Sequence, residues 1–348
     1  MIRSLVLFCC IIVLTTNLIA QKNTYKIAFG ACARQPNPLL ILDVALQHSP
    51  DLFIFLGDNI YGDTDNMDTL QAKYDRLGAK PTFQRLVQKT PIIATWDDHD
   101  FGKDDVGRHY PFKEKSKDIF MRFWKEPTTS ERWKHEGIYA SYLKEINGKK
   151  IQIILLDVRT FKDNAKPYQE GIITDKRYFY TRDYLPYTNA DSTLLGKEQW
   201  AWLEKQLQQK ADVRIIGSGS QFGIEYNGYE AWANYPEEQK KLVAMIQKNK
   251  TNGVFFLSGD VHYAEISKYQ VPNMYPIYDI TSSGLSSTWL FATPNSNRIE
   301  GPVMENHFGL LTIDCTKKYP TIKTEIYDIQ NNQRIEYTFS TKEISFSK

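Results

Sequence analysis

Residues 95–105, TWDDHDFGKDD, contain five aspartates and one histidine and directly follow the apolar run PIIA. Carboxylate and imidazole groups at the end of a buried strand can bind metal ions or transfer protons. A solvated acidic loop with a helix-capping aspartate has the same composition. This stretch by itself leaves both interpretations open, so the rest of the chain has to decide between them.

Other apolar runs also end in residue types that bind metals. Cys32 follows YKIAFGA, Asp58 and Tyr61 lie in GDNIYGD, and Asp260 and His262 lie in GDVH. A strand fixes its backbone up to its carboxyl end, so side chains that follow neighbouring strands can meet at one point. We therefore expect a metal centre at these strand ends, although each aspartate taken alone could equally cap a turn.

Tyr61 and Cys32 would be unusual ligands. Because a free tyrosine titrates near about 10, a phenolate at neutral pH requires a strong Lewis acid, and ferric iron is one. A thiolate at Cys32 would be deprotonated by the metal that it binds. Two alternatives remain: Tyr61 as a packing residue, and Cys32 in a disulfide with Cys315, as is common in exported proteins.

The fold class follows from the alternation of apolar runs with amphipathic stretches such as GKEQWAWLEKQLQQK. This alternation predicts an α/β core with its site at the carboxyl ends of the strands. After about residue 305 only strand-like segments follow, which predicts additional antiparallel strands. No repeat or linker divides residues 21–348, so we expect one domain. Residues 162–193 are irregular and are interpreted either as a surface insertion or as a lid that faces the substrate.

The N-terminus, MIRSLVLFCCIIVLTTNLIAQ, has the pattern of a signal peptide. It has one early arginine, an apolar stretch from Leu5 to Leu14 and the small residue Ala20 before Gln21, so residues 1–20 are predicted to be cleaved. The apolar stretch is about half of the roughly 20 residues that span a bilayer, so we expect export to the periplasm or the medium without an anchor. The 43 basic and 41 acidic residues give a net charge of +2, which predicts no nucleic-acid-binding surface.

The motifs GDNIYGD, TWDDHD and LSGDVHYAE, in this order, resemble those of the alkaline phosphatase D family, a branch of the calcineurin-like metallophosphoesterases. Similar segments, among them FGACAR, LLDVRT and EAWANYPEEQ, extend the resemblance over about residues 26–285. The resemblance implies a mixed two-sheet β-sandwich flanked by helices, in four α/β/β/α layers. It also implies ferric iron and calcium at the strand ends and hydrolysis of phosphomonoesters or phosphodiesters. Zinc, manganese or magnesium is the alternative set of cofactors.

The resemblance also implies individual roles. Asp58 would bridge the metals, and Tyr61 and Cys32 would bind the iron. The family commonly has Asn at the position of Asp104, and the additional negative charge would favour a divalent ion such as calcium. The complete set of implied metal ligands is Cys32, Asp58, Tyr61, Asp97, Asp104, Asp260 and His262.

The implied chemistry is attack of a metal-bound hydroxide on phosphorus, since clustered cations offset the negative charge of the ester and acidify bound water. His99 is predicted to protonate the leaving group or to hydrogen-bond a metal ligand. Arg159 is predicted to pair with a phosphate oxygen or, alternatively, with Asp157 or another nearby carboxylate. We expect a secreted, monomeric, metal-dependent phosphatase or phosphodiesterase that acts on small substrates.

Two alternatives to this function remain. The first keeps the fold but binds zinc, manganese or magnesium, with a disulfide between Cys32 and Cys315. The second is a non-catalytic calcium-binding surface protein. The second is disfavoured because calcium sites are built from oxygen donors and have no use for His and Cys side chains together.

Overall fold

The computed structural model describes residues 22–167, 184–225 and 228–347. The predicted signal peptide lies outside these ranges, and so do residues 168–183 of the irregular segment that was interpreted as an insertion or a lid. Within the described ranges, no helix has the length and apolar character needed to cross a membrane.

The described residues form two large β-sheets, a short two-stranded ribbon and helices on the outer faces. Local signals explain several helix starts: the Asn66 side chain accepts a hydrogen bond from Thr69 N at 2.9 Å, and Pro81 and Pro236 occupy first helical positions. The helices are α1 Ile41–Gln47, α2 Met67–Gly78, α3 Pro81–Lys89, α4 Asp98–Phe101, α5 Lys113–Phe123, α6 Gly196–Leu207 and α7 Pro236–Lys248. The strands are β1 Thr24–Gly30, β2 Leu52–Leu56, β3 Ile92–Thr95, β4 Ala140–Ile146, β5 Lys149–Leu155, β6 Lys166–Pro167, β7 Tyr184–Leu185, β8 Val213–Ser218, β9 Val254–Ser258, β10 Ala264–Tyr269, β11 Ile277–Ser282, β12 Arg298–Val303, β13 His307–Asp314, β14 Thr321–Asp328 and β15 Gln333–Ser340.

The first sheet has six strands in the order β15-β14-β13-β1-β2-β3. Strands β1, β2 and β3 are parallel to one another, with Phe29 opposite Ile54 and Phe55 opposite Ala94. The C-terminal strands β13, β14 and β15 join antiparallel on the other side of β1. The C-terminal part of the chain therefore completes the first sheet with antiparallel strands.

The second sheet has seven strands in the order β12-β10-β11-β9-β8-β5-β4. Its central strands β5, β8, β9 and β11 are parallel, whereas β4, β10 and β12 are antiparallel to their neighbours. Both sheets are thus mixed, and the parallel strands of each carry the loops with the predicted site residues.

The two faces of β2 show how the layers are held together. Phe53 and Phe55 belong to an apolar cluster with residues of α1, α2, α3 and α5, whereas Ile54 belongs to a cluster with strands of the second sheet and with α6 and α7. Because side chains alternate along a strand, a fully apolar strand can face helices on one side and a second sheet on the other. The core therefore consists of a helix-covered face and a sheet-to-sheet interior, in the predicted four layers.

Candidate metal centre

The candidate site lies where the parallel strands of both sheets end. Four of its residues, Cys32, Asp58, Asp260 and His262, have φ angles of 60°, 51°, 76° and 59°. For residues other than glycine this left-handed conformation costs about 1 kcal/mol or more, and it is concentrated at functional sites. The chain accepts this cost at each of the three loops after β1, β2 and β9, and the strained turns direct these side chains toward a common centre.

Two glycines leave the room that this centre needs. A side chain at Gly219, just after β8, would place its Cβ 2.7 Å from the Asp97 carboxyl carbon. Gly57 has a φ of 115°, and a Cβ there would lie 2.7 Å from the Asp97 Cβ. Because a side chain at Gly57 or Gly219 would clash with Asp97, only glycine allows these two loops to approach Asp97 so closely.

The thiol of Cys32 lies on one side of the site and is buried. Its Sγ is 3.4 Å from Asp58 Oδ2 and 3.1 Å from Ser283 Oγ, and it forms a potential metal-binding group with Asp58 and His262. Burial and the neighbouring Asp58 charge raise the pKa of this thiol well above its usual value. A bound cation would reverse that effect by stabilising the thiolate.

The structure excludes the alternative disulfide, since both cysteines are free. Cys315 N donates a hydrogen bond to Asn23 O, before the start of β1, whereas Cys32 follows the end of that strand. A seven-residue strand is roughly 20 Å long, far beyond the Cα separation of about 7 Å that a disulfide tolerates.

Tyr61 lies beside this thiol group. Its hydroxyl is buried close to Cys32 and Ser287 but makes no well-formed hydrogen bond. Burial and the charges of Cys32 and Asp58 raise the pKa of the phenol well above its usual value. The Gln35 side chain fixes the backbone at this position by accepting from Tyr61 N at 2.7 Å.

The other side of the site contains Asp97, Asp98 and Asp260, which form a second potential metal-binding group. The predicted ligands include Asp97 but not Asp98, yet Asp98 takes part in three of the four such groups among the described residues. Adjacent aspartates in DDHD are equivalent by composition, so the sequence contained Asp98 as a candidate without a way to rank it.

Arg159, which follows β5, is fully buried behind these carboxylates. Its guanidinium forms ion pairs with Asp97 and Glu230 and lies 3.7 Å from an Asp98 oxygen. Burial opposes the ionisation of Asp98, but Arg159 and His99 outweigh it and lower the pKa of Asp98 to about 2, whereas burial raises the pKa of Asp97 to about 6. Of the two predicted roles for Arg159, the geometry corresponds to pairing with nearby carboxylates.

Asp100 has a structural role in the same stretch. It accepts hydrogen bonds from Asn59 N at 3.1 Å and from the Tyr74 hydroxyl at 2.8 Å, and it also accepts from the Asp97 backbone. This carboxylate therefore connects the loops after β2 and β3 and fixes the distance between Asp58 and Asp97.

His99 lies at the mouth of the site. Its Nδ1 is 2.6 Å from Asp63 Oδ1, and its Nε2 is 4.0 Å from Asp98 and 3.8 Å from Asp104. Burial lowers the pKa of His99, but Asp58, Asp98 and Asp63 together outweigh it and raise that pKa to about 11. The Asp104 side chain is 79% exposed and groups with Asp98 and Asp105 rather than with Asp58.

His262 is held from two directions. Its Nδ1 is 3.0 Å from the Ser287 carbonyl oxygen, and the Trp289 ring packs on its ring with centroids 4.8 Å apart. The backbone of His262 is also fixed, since its N–H donates to Ser283 Oγ at 3.1 Å. Because a hydrogen bond at Nδ1 selects the tautomer, Nε2 is left to face Cys32 and Asp58. Sequence reasoning did not single out Ser283, Ser287 or Trp289.

His307 supports this arrangement from the core. It is fully buried, and its Nε2 accepts a hydrogen bond from Ser283 N at 3.1 Å. His307 is not among the predicted site residues, and it lies in the core beside the loop that carries Ser283. Ser283 in turn contacts Cys32, so a core histidine helps to position the thiol.

The buried polar atoms fit a cation. Asp58 Oδ1, Asp97 Oδ2, Asp98 Oδ1 and the Tyr61 hydroxyl are all buried without a hydrogen-bond partner. Burying a polar group without a hydrogen-bond partner costs free energy, and the cost is larger for a carboxylate oxygen than for a hydroxyl group. A bound cation would satisfy these carboxylate oxygens. Mixed oxygen, nitrogen and sulfur donors suit transition metals, and the carboxylates alone suit calcium or magnesium.

The two-sheet fold of this chain is shared with solved structures of phosphatases. The structure of PhoD superposes with a TM-score of 0.68 at 16% identity, over 92% of this chain and 72% of that one. A dimetal phosphatase from Danio rerio superposes with a TM-score of 0.53 at 12% identity, over 93% of this chain and 99% of its own. The predicted two-sheet fold is thereby confirmed.

The family follows from sequence. The PhoD-like phosphatase family matches residues 27–337, and the chain belongs to it. Alkaline phosphatase D from Bacillus subtilis (strain 168) is 23% identical over 209 residues. That alignment covers 52% of this chain but only 32% of the relative, so the chain spans about a third of the length of this curated relative.

Proposed function

We propose that this chain is a metal-dependent phosphoesterase that hydrolyses phosphomonoesters or phosphodiesters. The observation that carries the proposal is the set of buried oxygens of Asp58, Asp97 and Asp98 that accept no hydrogen bond, in a chain of a phosphatase family. A buried polar site left unsatisfied by the protein is a site prepared for a ligand, and these donors require a cation.

The thiol side of the site would hold the softer metal. Cys32, Tyr61, Asp58 and His262 offer sulfur, nitrogen and oxygen donors, a set that favours ferric iron in the presence of a phenolate. Asp97, Asp98 and Asp260 offer oxygen donors alone and favour calcium. When bound, such cations would neutralise charge on the phosphoryl group and make water more acidic.

The residues of the chain have separate tasks around the reacting phosphate. His99 holds a proton beside the site while Asp63 orients its ring, so His99 can donate that proton to the departing alkoxide oxygen. Arg159 keeps Asp97 and Asp98 in place from behind, and burial prevents it from moving to substrate. Ser287 and Trp289 orient His262.

Elemental analysis combined with activity assays tests the proposal. Protein purified without chelator should contain iron, absorb visible light through tyrosinate charge transfer and hydrolyse an aryl phosphate or aryl phosphodiester at alkaline pH. Stoichiometric zinc without iron would refute the assignment of iron but not hydrolysis. Absence of turnover with every monoester and diester tested, in protein loaded with iron and calcium, would refute the function.

Two variants examine the thiol separately. Cys32→Ala should bind much less iron because a ligand is lost, and it should therefore lose most of the visible band and most of the activity. Cys315→Ala, at the far end of the first sheet, serves as the matched control and should keep both. Full activity in Cys32→Ala would remove that residue from the site.

Export is proposed on the residue pattern of the N-terminus. Expression of the full chain in a bacterium, followed by fractionation and N-terminal sequencing, should give an exported product that begins near Gln21. A cytoplasmic product that begins at residue 1 or 2 would contradict export.

A further inference from the structure

The loop between β11 and β12 brings a stack of aromatic rings to the edge of the metal centre. The Trp289 ring packs on His262 with an interplanar angle of 25°, and the Phe291 ring lies 5.1 Å from Trp289 at 15°. Tyr229 approaches Trp289 from the side, with centroids 5.0 Å apart. Three nearly parallel rings, His262, Trp289 and Phe291, therefore lead outward from a candidate metal ligand; we call them the aromatic stack.

The base of this loop is fixed by buried polar groups. The fully buried Glu265 carboxylate forms an ion pair with Arg298 at 2.5 Å and accepts from Asn295 Nδ2 at 2.7 Å. Arg298 also donates to the Thr293 carbonyl oxygen at 2.5 Å, and the Tyr263 and Thr293 hydroxyl groups are 2.6 Å apart. Since the loop is anchored on this network, the aromatic stack has a defined place relative to the site.

The outer end of the loop is apolar and accessible. Residues 288–294, TWLFATP, carry no charge, and Phe291 and Leu290 are 40% and 95% exposed. Exposed apolar residues beside a catalytic centre indicate a binding surface, because their hydration is unfavourable unless a ligand covers them.

We propose that the aromatic stack binds a planar aromatic arm of a phosphodiester, such as a nucleobase or an aryl group, while the phosphate lies at the metal centre. The inference rests on the proposed phosphoesterase function and adds the class of substrate. Nearly parallel rings favour a further planar ring over a flexible alkyl chain, because stacking adds to the area that is buried. With centroid separations of 4.8 Å and 5.1 Å along the stack, Phe291 lies within the span of one nucleoside of His262.

Diesters with one common leaving group test this inference. Metal-loaded full chain is assayed with p-nitrophenyl diesters whose second arm is thymidine (through its 5′ oxygen), methyl or octyl. Because the chemistry of the leaving group is the same, the ratio of kcat/KM between arms reports binding of the arm alone. In Phe291→Ala the ratio of thymidine ester to methyl ester should fall by roughly five- to a hundredfold, chiefly through KM.

The controls use other exposed leucines. Leu143→Ser, on the opposite edge strand β4 and 53% exposed, should leave every kinetic constant unchanged. Leu290→Ser should change the thymidine-to-methyl ratio by less than about twofold, since Leu290 lies outside the stack.

Each outcome decides the matter. An unchanged ratio in Phe291→Ala overturns the inference while leaving the proposed function intact. Preference for the octyl ester, together with an equally large effect of Leu290→Ser, shows that the loop binds alkyl chains or a lipid surface and also overturns it. If none of the three diesters and no aryl phosphomonoester is hydrolysed, the proposed function fails, and calorimetric binding of the thymidine ester to wild type and Phe291→Ala decides the inference separately.

Discussion

Two sets of buried aspartates lie in or just after the strands of this molecule and differ in how their oxygens are satisfied. Asp157, just after β5, accepts from the backbone N–H groups of Ile138, Arg159 and Thr160, and Asp279 on β11 accepts from Phe222 N, Gly223 N and Ser258 Oγ. Asp58 and Asp97, by contrast, each keep one buried oxygen without a hydrogen-bond partner. Burial is common to both sets, so it does not distinguish a structural carboxylate from a functional one.

Hydrogen-bond satisfaction therefore identifies the role of a buried carboxylate. A satisfied carboxylate stabilises the loops that it connects, because its removal leaves backbone donors unpaired. An unsatisfied one destabilises the protein in the absence of its ligand, and it is retained because it binds something.

The largest effect is expected from Asp58→Asn, measured as kcat/KM of metal-loaded protein. Asparagine keeps the left-handed backbone but removes the charge, so the substitution should cost about 10³-fold in activity, since a lost cation removes several kcal/mol of transition-state stabilisation. The free energy of unfolding of the metal-free protein should be unchanged or higher. A strongly destabilised but active variant would contradict the distinction between the two sets.

Asp279→Ala is expected to lower the stability of the protein while leaving its activity nearly unchanged. This change leaves the N–H groups of Phe222 and Gly223 and the Ser258 hydroxyl without their acceptor, so the free energy of unfolding in urea should fall by about 2–3 kcal/mol. Activity per folded molecule should stay within about threefold of wild type at a permissive temperature. Asp279→Asn, which keeps one acceptor oxygen, is the control and should recover part of the loss. Equal stability of the Ala variant and wild type would show that satisfied carboxylates are dispensable here.

The smallest effect is a pH dependence confined to the metal-free protein. The pKa of His99 is raised to about 11 by the surrounding carboxylates in spite of its burial, so the folded protein holds a proton that the unfolded chain releases near about 6.5. The stabilisation that protonated His99 gives the folded protein is fully present below about pH 6.5 and is lost as the pH rises toward the folded-state pKa of about 11. The pKa of Asp105, raised to about 8 by burial and by Glu230, contributes with the same sign.

Thermal unfolding in EDTA should therefore show Tm falling by roughly a few degrees from about pH 6.5 to 8.5. Asp58→Asn should show a shallower decrease, because Asp58 contributes to the shift of His99, whereas Asp279→Ala should show the wild-type slope from a lower Tm. Saturating calcium and ferric iron should flatten the wild-type curve. Parallel slopes for both variants would refute the electrostatic part of the comparison.

Much of the fold was predictable because its signals are local. Alternation of apolar runs with amphipathic stretches predicted the α/β core, and the strand-only region after about residue 305 predicted the antiparallel strands β13, β14 and β15. The order of strands was not predictable. Nothing in the sequence of β13 indicates that it lies next to β1, because strand pairing is decided by packing between distant segments.

Some features of the candidate site were likewise predictable from the sequence, and others were not. Residue type and position after apolar runs determined that Cys32, Asp58, Asp260 and His262 converge, since a strand end places its next residues wherever neighbouring strands also end. The left-handed backbone of these four residues and the close approach of Gly57 and Gly219 to Asp97 could not be predicted from the sequence.

Contacts between distant segments of the chain decide which carboxylates remain available to bind a cation. Asp97 and Asp98 are neighbours of the same type, but Arg159, 62 residues after Asp97, pairs more closely with Asp97 than with Asp98, and Asp98 takes part in more of the potential metal-binding groups. Ser283 and Trp289 reach the site from a loop more than 200 residues after Cys32. Residue types and their positions after apolar runs limit which chemical groups can meet, whereas long-range contacts decide which of their atoms are left without a hydrogen bond and can bind a cation.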